Sequence, residues 1–265
     1  MFYYYLASMA KLVIILVILS GAIAGVYGWK SINKKVSEMP VETASATPKT
    51  DRKDKILTRN GIEYGVEEYK ISNQQQVKLV NNLIEKAETT QLVKDKGCTA
   101  GINGGFYDEA GNALGLLVID GAIMSVSKTS SLLNGFVWKT AGGGYGIGRN
   151  EPQEDITWAV QAGPLLIEEA RVLELNMARD KPARRMAAGI ERGGELVIMT
   201  IFDSKSVYDG PRLEELPSII WEAAEMFGWE LENAINLDGG TASAFYSPKM
   251  RLEEFSTVGN FLCVY

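Results

Sequence analysis

The run LVIMTIFDSKSVYDGPRLEELPSIIWEAAEMFGWELENAINLDGG, residues 196–240, decides the fold. Leu196 to Phe202 is a short apolar run of strand length. Pro217 to Phe227 is the clearest helix of the chain. Pro217 suits a first helical turn, where its missing N–H has no partner to lose. Ile219, Ile220, Ala223, Ala224 and Phe227 recur on one helical face, and Gly228 ends the element. Ala234 to Leu237 is again strand-like and leads into Asp238-Gly239-Gly240. A strand, one helix and a returning strand, in a chain where strands dominate, belong to an α+β fold and not to a doubly wound one.

The remaining elements are mostly strands. Gly61 to Lys70 alternates, with Ile62, Tyr64 and Val66 on one side. Val77 to Val80 follows, then a short helix from Thr89 or Thr90 to Lys96 that Gly97 stops. Cys98 to Asn103 runs into a glycine pair, and Leu116 to Asp120 turns at Gly121. Phe136 to Lys139 and Tyr145 to Gly148 flank a glycine-rich turn as a hairpin. Trp158 to Gln161, Leu165 to Ile167 and Phe261 to Tyr265 complete the set. Strands dominate and few helices intervene. The expected fold is therefore α+β, a mixed, strand-rich sheet domain over residues 60–265.

Ahead of it stands a membrane signal. Leu12 to Trp29 is 18 residues without a charge, and as a helix would reach roughly 27 Å, just short of a hydrocarbon core of about 30 Å. Residues 1–29 read either as a retained signal-anchor, the favoured case, or as a signal peptide cleaved near Ala22-Ile23-Ala24. Lys30, Lys34 and Lys35 beyond the apolar run pull, by charge alone, towards a cytoplasmic carboxyl side. Residues 30–59, with Pro40, Pro48 and the run Thr43-Ala44-Ser45-Ala46-Thr47, read as a linker.

Composition narrows the chemistry. The 265 residues carry a formal net charge of −6, which argues against general nucleic-acid binding. The chain contains no histidine. Ser-His-Asp triads, Cys-His pairs and His-ligated zinc are thereby excluded. Proton transfer falls to Asp, Glu, Lys, Tyr or water. Two cysteines, Cys98 and Cys263, are too few for a four-cysteine zinc site. The glycines from Gly142 to Gly148 match neither G-x-G-x-x-G nor a P-loop, so a flexible hairpin turn is their reading.

Three constellations remain. Asn103-Gly104-Gly105-Phe106-Tyr107 follows a buried strand, where paired glycines let backbone N–H groups approach a ligand. There Asn103 suits a sugar hydroxyl and Phe106 a sugar face; a plain tight turn is the competing reading. Gln161-Ala162-Gly163-Pro164 is followed downstream by Arg184-Arg185, a guanidinium pair suited to phosphate oxygens or, more plainly, a surface charge pair. Asn236-Leu237-Asp238-Gly239-Gly240-Thr241-Ala242-Ser243 sets a carboxylate at a strand end before two glycines. Structurally this is costly, because the glycines lose entropy and the Asp must be desolvated or paired.

In this order the segments resemble the phosphodiester glycosidase family, whose bacterial members are often labelled exopolysaccharide-related. The resemblance is carried by Asn103 to Tyr107, Gly115 to Gly121, Gln161 to Ile167, Arg185 with Gly189-Ile190, and Asn236 to Gly240. Met186, Ala242 and Glu168-Glu169-Ala170 depart from the usual pattern. The resemblance implies hydrolysis of a sugar-1-phosphodiester on an envelope or extracellular glycan. The phosphate monoester leaves as a stable anion and needs little general acid, which suits a chain without histidine. By this analogy Arg185, with Arg184 as alternative, draws off the developing phosphate charge. Asp238 serves the oxocarbenium-like anomeric carbon, and Asp203 is the second carboxylate. Asn103, Gln161 and Asn236 hold hydroxyls, and Gly104, Gly105, Gly239 and Gly240 supply backbone donors. Phe106, Gly163, Thr241 and Ser243 complete the expected substrate contacts. No cofactor is required.

Three rival readings accompany this one: a non-catalytic glycan-binding protein, a structural envelope protein, and a phosphodiesterase holding a divalent cation on Asp203 and Asp238. The expected location is extracytoplasmic, anchored by the amino-terminal helix or secreted after its cleavage. Outside the cytoplasm Cys98 and Cys263 could pair as a disulfide; the alternative is two buried thiols.

Overall fold

The computed structural model describes residues 55–265. The expected membrane helix over residues 12–29 and nearly all of the expected linker lie outside the described residues. Among those described, no helix is long and apolar enough to cross a membrane.

In chain order the elements are β1 (Ile56–Arg59), β2 (Ile62–Lys70), β3 (Val77–Asn81), α1 (Thr89–Lys96), β4 (Ala100–Asn103), β5 (Leu117–Ile119), β6 (Ala122–Ser125), β7 (Gly135–Thr140), β8 (Tyr145–Gly148), β9 (Ile156–Ala162), β10 (Leu165–Glu168), β11 (Arg171–Val172), β12 (Arg185–Glu191), β13 (Leu196–Asp203), α2 (Leu216–Phe227), β14 (Leu231–Asn236), β15 (Phe245–Tyr246), β16 (Arg251–Leu252) and β17 (Asn260–Val264). They form three sheets, ordered β1-β2-β13-β12-β14-β10-β11, β16-β15-β4-β17-β3 and β6-β5-β9-β7-β8. The strand β1 falls in the stretch read as linker. It pairs with β2 from Ile56↔Gly65 to Arg59↔Ile62, so the sheet begins four residues before the expected boundary.

The strand-rich α+β reading agrees with this architecture; the expectation of mixed pairing does not. Every strand pair among the described residues is antiparallel. The cause lies in the connections. Tight turns such as Asn60-Gly61 and Asp120-Gly121, all at positive φ, return the chain beside itself. The helix α2 does link two strands of one sheet, but β12 stands between β13 and β14 and pairs antiparallel with both.

Each layer has a cause in the sequence. β13 is buried along both faces. Val197, Met199 and Ile201 pack beneath α2 with Leu216, Ile219, Ile220, Ala223 and Ala224. Leu196, Ile198 and Phe202 face the opposite core, which also gathers Ile102 and Leu262 from the second sheet and Val137 and Val160 from the third. A strand covered on both sides reads as a continuous apolar run instead of an alternating one. Gly228 caps α2 in the left-handed region (φ 73°), and Gly97 does the same for α1. Cys98 and Cys263 form a disulfide with Cα atoms 5.4 Å apart. It ties the chain entering β4 to β17.

Candidate active site

The site is built where β14 ends. Beyond Asn236 the chain leaves the sheet, and three hydrogen bonds keep it against neighbouring segments. Leu237 N–H donates to the Met186 carbonyl (2.8 Å), Asp238 N–H to the Gly104 carbonyl (3.0 Å), and Gly240 N–H to the Arg184 carbonyl (3.0 Å). The Asn103 turn, the arginine pair and the Asp238 loop therefore meet, although 135 residues separate Asn103 from Asp238.

Asn103 clamps this loop. It is buried; its Nδ2 donates to the Asp238 carbonyl (2.7 Å) and its Oδ1 accepts from Ala244 N–H (2.9 Å). Both arms of the amide hold backbone. The glycines after it are sterically required. A Cβ on Gly104 would lie 2.0 Å from Asn260 Oδ1, and one on Gly105 2.5 Å from Val160 Cγ1. Gly105 N–H donates to Asn260 Oδ1 (3.0 Å), so the buried Asn260 fixes this turn from the far side.

Asp238 carries the chemistry. Its residue keeps partial contact with solvent, yet protein surrounds the carboxyl on most sides. Burial pushes its pKa up to about 7, opposed only by the Gly239 backbone N–H that hydrogen-bonds it. Among the described residues no ion pair reaches it. The carboxyl thus stays poised near neutrality because nothing cationic pulls it down. Tyr107 lies close enough for the Asp238 charge to raise the phenol, after burial and together with Glu254. Its hydroxyl donates to the Thr257 carbonyl.

The two arginines part company. Arg184 is 1% exposed. Its Nε donates to Ser243 Oγ (2.8 Å), Nη1 to the Val207 carbonyl (3.2 Å), and Nη2 to the carbonyls of Ser243 and Glu253, the latter at 2.7 Å. Burial lowers its pKa to about 10, opposed by Tyr208 and Glu254, so it remains a cation at neutral pH. Neutral oxygens satisfy the guanidinium, and no carboxylate pairs with it among the described residues. Arg185 is held differently: Nε donates to the Pro211 carbonyl (2.9 Å), and Nη2 to Asp180 Oδ1 (3.1 Å) and the Lys181 carbonyl (2.6 Å). Asp180 neutralises it. Burial lowers its pKa against the pull of Asp180. A Cβ on Gly239 would sit 3.9 Å from Arg185 Cδ, which places the guanidinium stem beside the Asp238 loop.

The other expected residues divide into two groups. Ser243 is buried and joins the site through Arg184 and the Gly240 carbonyl. Thr241 is exposed on the loop, and its carbonyl accepts from Phe255 and Ser256 N–H (2.8 and 2.9 Å). Phe106 is half-buried next to Tyr107. Gln161 turns elsewhere: its Oε1 accepts from Leu116 and Lys128 N–H, and its Nε2 donates to the carbonyls of Lys128 and Leu133. Gly163 sits at φ 147°, where a Cβ would lie 2.3 Å from the Leu132 carbonyl oxygen, and its carbonyl accepts from Asn236 Nδ2 (2.8 Å). Among the described residues Asn236 Oδ1 is a buried acceptor without a partner, a group that ordinarily requires one. Asp203 turns away: its Oδ1 accepts from Lys205 N–H (2.8 Å), and its charge acts on Tyr64. It makes no bond to Asp238 or to either arginine. No group of three or more His, Cys, Asp or Glu side chains suited to a metal occurs among the described residues.

Asn260, Tyr107, Glu254 and Asp180 complete the site without having been expected from the sequence. Glu254 caps α1 by accepting from Thr89 N–H (2.7 Å) and Thr89 Oγ1. Tyr107 had a signal, since it closes the Asn103 motif. Asn260 had none, because its role depends on the pairing of β17 with β4.

Comparisons with known proteins agree with this arrangement. The structure is similar to the catalytic domain of zebrafish N-acetylglucosamine-1-phosphodiester alpha-N-acetylglucosaminidase, auto-inhibited by its pro-peptide. The TM-score is 0.59 at 14% identity, covering 79% of this chain and 80% of that one. It is also similar to a Synechocystis protein, with TM-score 0.55 at 16% identity, covering 79% of this chain and 60% of that one. A sequence search of curated proteins found no match. The phosphodiester glycosidase profile matches residues 96–265, a span that holds every residue of the site just described, and the chain belongs to that family.

Proposed function

We propose that the protein hydrolyses a sugar-1-phosphodiester at the anomeric C–O bond, with a phosphate monoester as leaving group. The observation that carries this reading is one juxtaposition. A carboxyl poised near pH 7 stands on a loop fastened to the arginine pair: the Arg184 carbonyl accepts from Gly240 N–H and the buried Arg184 guanidinium donates to Ser243 Oγ. The carboxyl, once ionised, can stabilise or attack an oxocarbenium-like carbon or activate water. Arg185 is the group for the departing phosphate, because its Nη1 makes no hydrogen bond among the described residues while Arg184 is enclosed on all sides. Arg184 then holds the loop and supplies background field. Asn103 and Gln161 hold backbone; the unpartnered Asn236 Oδ1 remains available to a water or a hydroxyl.

Family membership and this geometry together support a hydrolase; a reaction that needs no cofactor is part of the proposal. An extracytoplasmic site of action is proposed with it, supported by the Cys98–Cys263 disulfide, which persists in oxidising compartments. A phosphorylated envelope glycan is the proposed partner, with the membrane reached through residues 12–29.

The test is a panel of sugar-1-phosphodiesters in oxygen-18 water, run with the wild type and Asp238→Asn. Label in the sugar and a loss of turnover of at least about 10²-fold in the variant are expected. Label in phosphate would assign P–O cleavage and the metal-dependent alternative. Glycan binding without turnover in the wild type would leave a binding protein.

A further inference from the structure

The strand β6 stands at the edge of its sheet and pairs with β5 alone among the described residues. With its flanks it reads Gly-Ala-Ile-Met-Ser-Val-Ser, residues 121–127, without a charge. Ile123 is 67% exposed, Met124 54% and Val126 67%. Ile123 stands opposite Val118, which with Ala159 lies in a buried cluster packed by Trp138. The apolar row runs outward from that cluster and ends in solvent.

The other sheet edges are protected. β1 carries Arg59, β3 Lys78, β11 Arg171 and β16 Arg251, and a charge on an edge strand deters pairing with another chain. β8 has no charge, but its two glycines leave only Tyr145 and Ile147, which pack into the core. β6 has neither protection. Its one irregularity is a register shift opposite Leu117 and Val118, which bends the strand and shortens any ladder. An uncharged edge with large exposed apolar side chains ordinarily marks a contact with another chain.

We propose that β6 is a dimerisation edge: two copies of this chain pair their β6 strands antiparallel about a two-fold axis and bury Ile123, Met124 and Val126 between them. Two observations select a second copy over a bilayer. Hydrocarbon offers no partner to the outward N–H and C=O groups of an edge strand, whereas an identical edge does. The charges at the two ends also match. Asp120 precedes the uncharged run, and Gly121 N–H donates to the Thr157 carbonyl (2.8 Å), which brings the exposed Glu154 and Asp155 to the same end. The exposed Lys128 follows the run at the other end. A two-fold axis sets the acidic end of each copy against the Lys128 end of the other, while anionic headgroups repel the acidic end. The register shift leaves few ladder bonds, so apolar burial carries most of the association. This inference does not depend on the reaction proposed above.

The test measures the mass of the full chain in a mild detergent by sedimentation equilibrium, at concentrations up to about 0.1 mM. The wild type is expected to reach twice the chain mass. Ile123→Lys with Val126→Lys, both at exposed positions, should raise the dimer Kd at least about 10-fold. Lys128→Glu should raise it less, and about 0.5 M salt should recover much of that loss. Met124→Cys, close to the two-fold axis, should cross-link as a dimer under mild oxidation, and Ile84→Cys, at a position 86% exposed, should not. A wild type that stays monomeric would overturn the proposal. So would a dimer whose Kd the double lysine variant leaves unchanged, the result expected if residues 12–29 held the copies together. Binding to phosphatidylcholine–phosphatidylglycerol vesicles that is lost in the double variant, without any dimer, would assign the edge to a bilayer instead.

Discussion

Replacing Asp238 by Asn should stabilise the protein while abolishing turnover, and the stabilisation should grow with pH. An ordinary aspartate ionises near 3.8, and in the folded protein burial holds this one neutral up to about 7. Below the lower value both states carry the proton and the residue contributes nothing. Between the two values the unfolded chain has released its proton and the folded chain has not. Stability therefore falls as pH rises through that window. The full difference corresponds to about 4 kcal/mol above pH 7, and the carboxyl's partial access to solvent reduces this to about 2–4 kcal/mol. Asparagine has nearly the same shape, can accept the Gly239 N–H, and never ionises. The assay is urea unfolding of both proteins at pH 4, 6 and 8. We expect near-equal stability at pH 4 and an advantage for Asp238→Asn that reaches about 2–4 kcal/mol at pH 8. Effects of all other titrating groups cancel in the difference. A difference that is constant with pH, or that favours the wild type more as pH rises, would refute the burial argument and with it the poised carboxyl.

The same value sets the activity profile: if the ionised form of Asp238 acts, log kcat/KM for a sugar-1-phosphodiester should rise with unit slope below about pH 7 and level above it. A profile flat from pH 5 to 8 would remove Asp238 from that role. Arg184→Met should cost about 3–5 kcal/mol in urea unfolding, because the carbonyls of Val207, Ser243 and Glu253 lose their donor inside the protein; a loss below about 1 kcal/mol would mean that the loops hold themselves. Cys98→Ser with Cys263→Ser should lower stability by up to about 5 kcal/mol, since the bridge closes a long loop. A thermal midpoint unchanged from that of the wild type would count against this.

Much of the fold could be read from the sequence because its strongest signals are local. The run from Leu196 to Phe202 and the helix face of Ile219, Ile220, Ala223 and Ala224 are set by which residues must leave water, and both elements stand where the pattern puts them. Pairing direction was less legible. Parallel and antiparallel ladders bury the same side chains, and only the placement of β12 between β13 and β14 separates them. β1 was missed for a related reason: it is a short edge strand whose partner is supplied by the Asn60-Gly61 turn.

The site follows the same division, and the arginine pair shows why. The sequence presents Arg184 and Arg185 as equivalent neighbours, but adjacent residues at the mouth of a strand take different surroundings. Arg184 enters a space lined by carbonyls of three segments, while Arg185 meets Asp180. Which of them faces a ligand is a tertiary property, fixed by loops that arrive from residues 180, 207 and 253. The amides behave alike. Asn103, Gln161 and Asn236 have the donors and acceptors a sugar needs, yet Asn103 and Gln161 direct them at backbone, because a loop leaving a sheet must satisfy its own polar groups before it can present any to a substrate. A site assembled this way needs its supporting amides as much as its carboxylate. Asn103→Ala should therefore lower kcat by releasing Asp238 and Ala244. Unlike Asp238→Asn it should also destabilise the fold, by about 1–3 kcal/mol, since a half-buried carbonyl and a buried N–H lose their partner. Calorimetric unfolding of the two variants at pH 8 should move in opposite directions. An Asn103→Ala midpoint no lower than that of the wild type would mean that the loop keeps its shape without that amide.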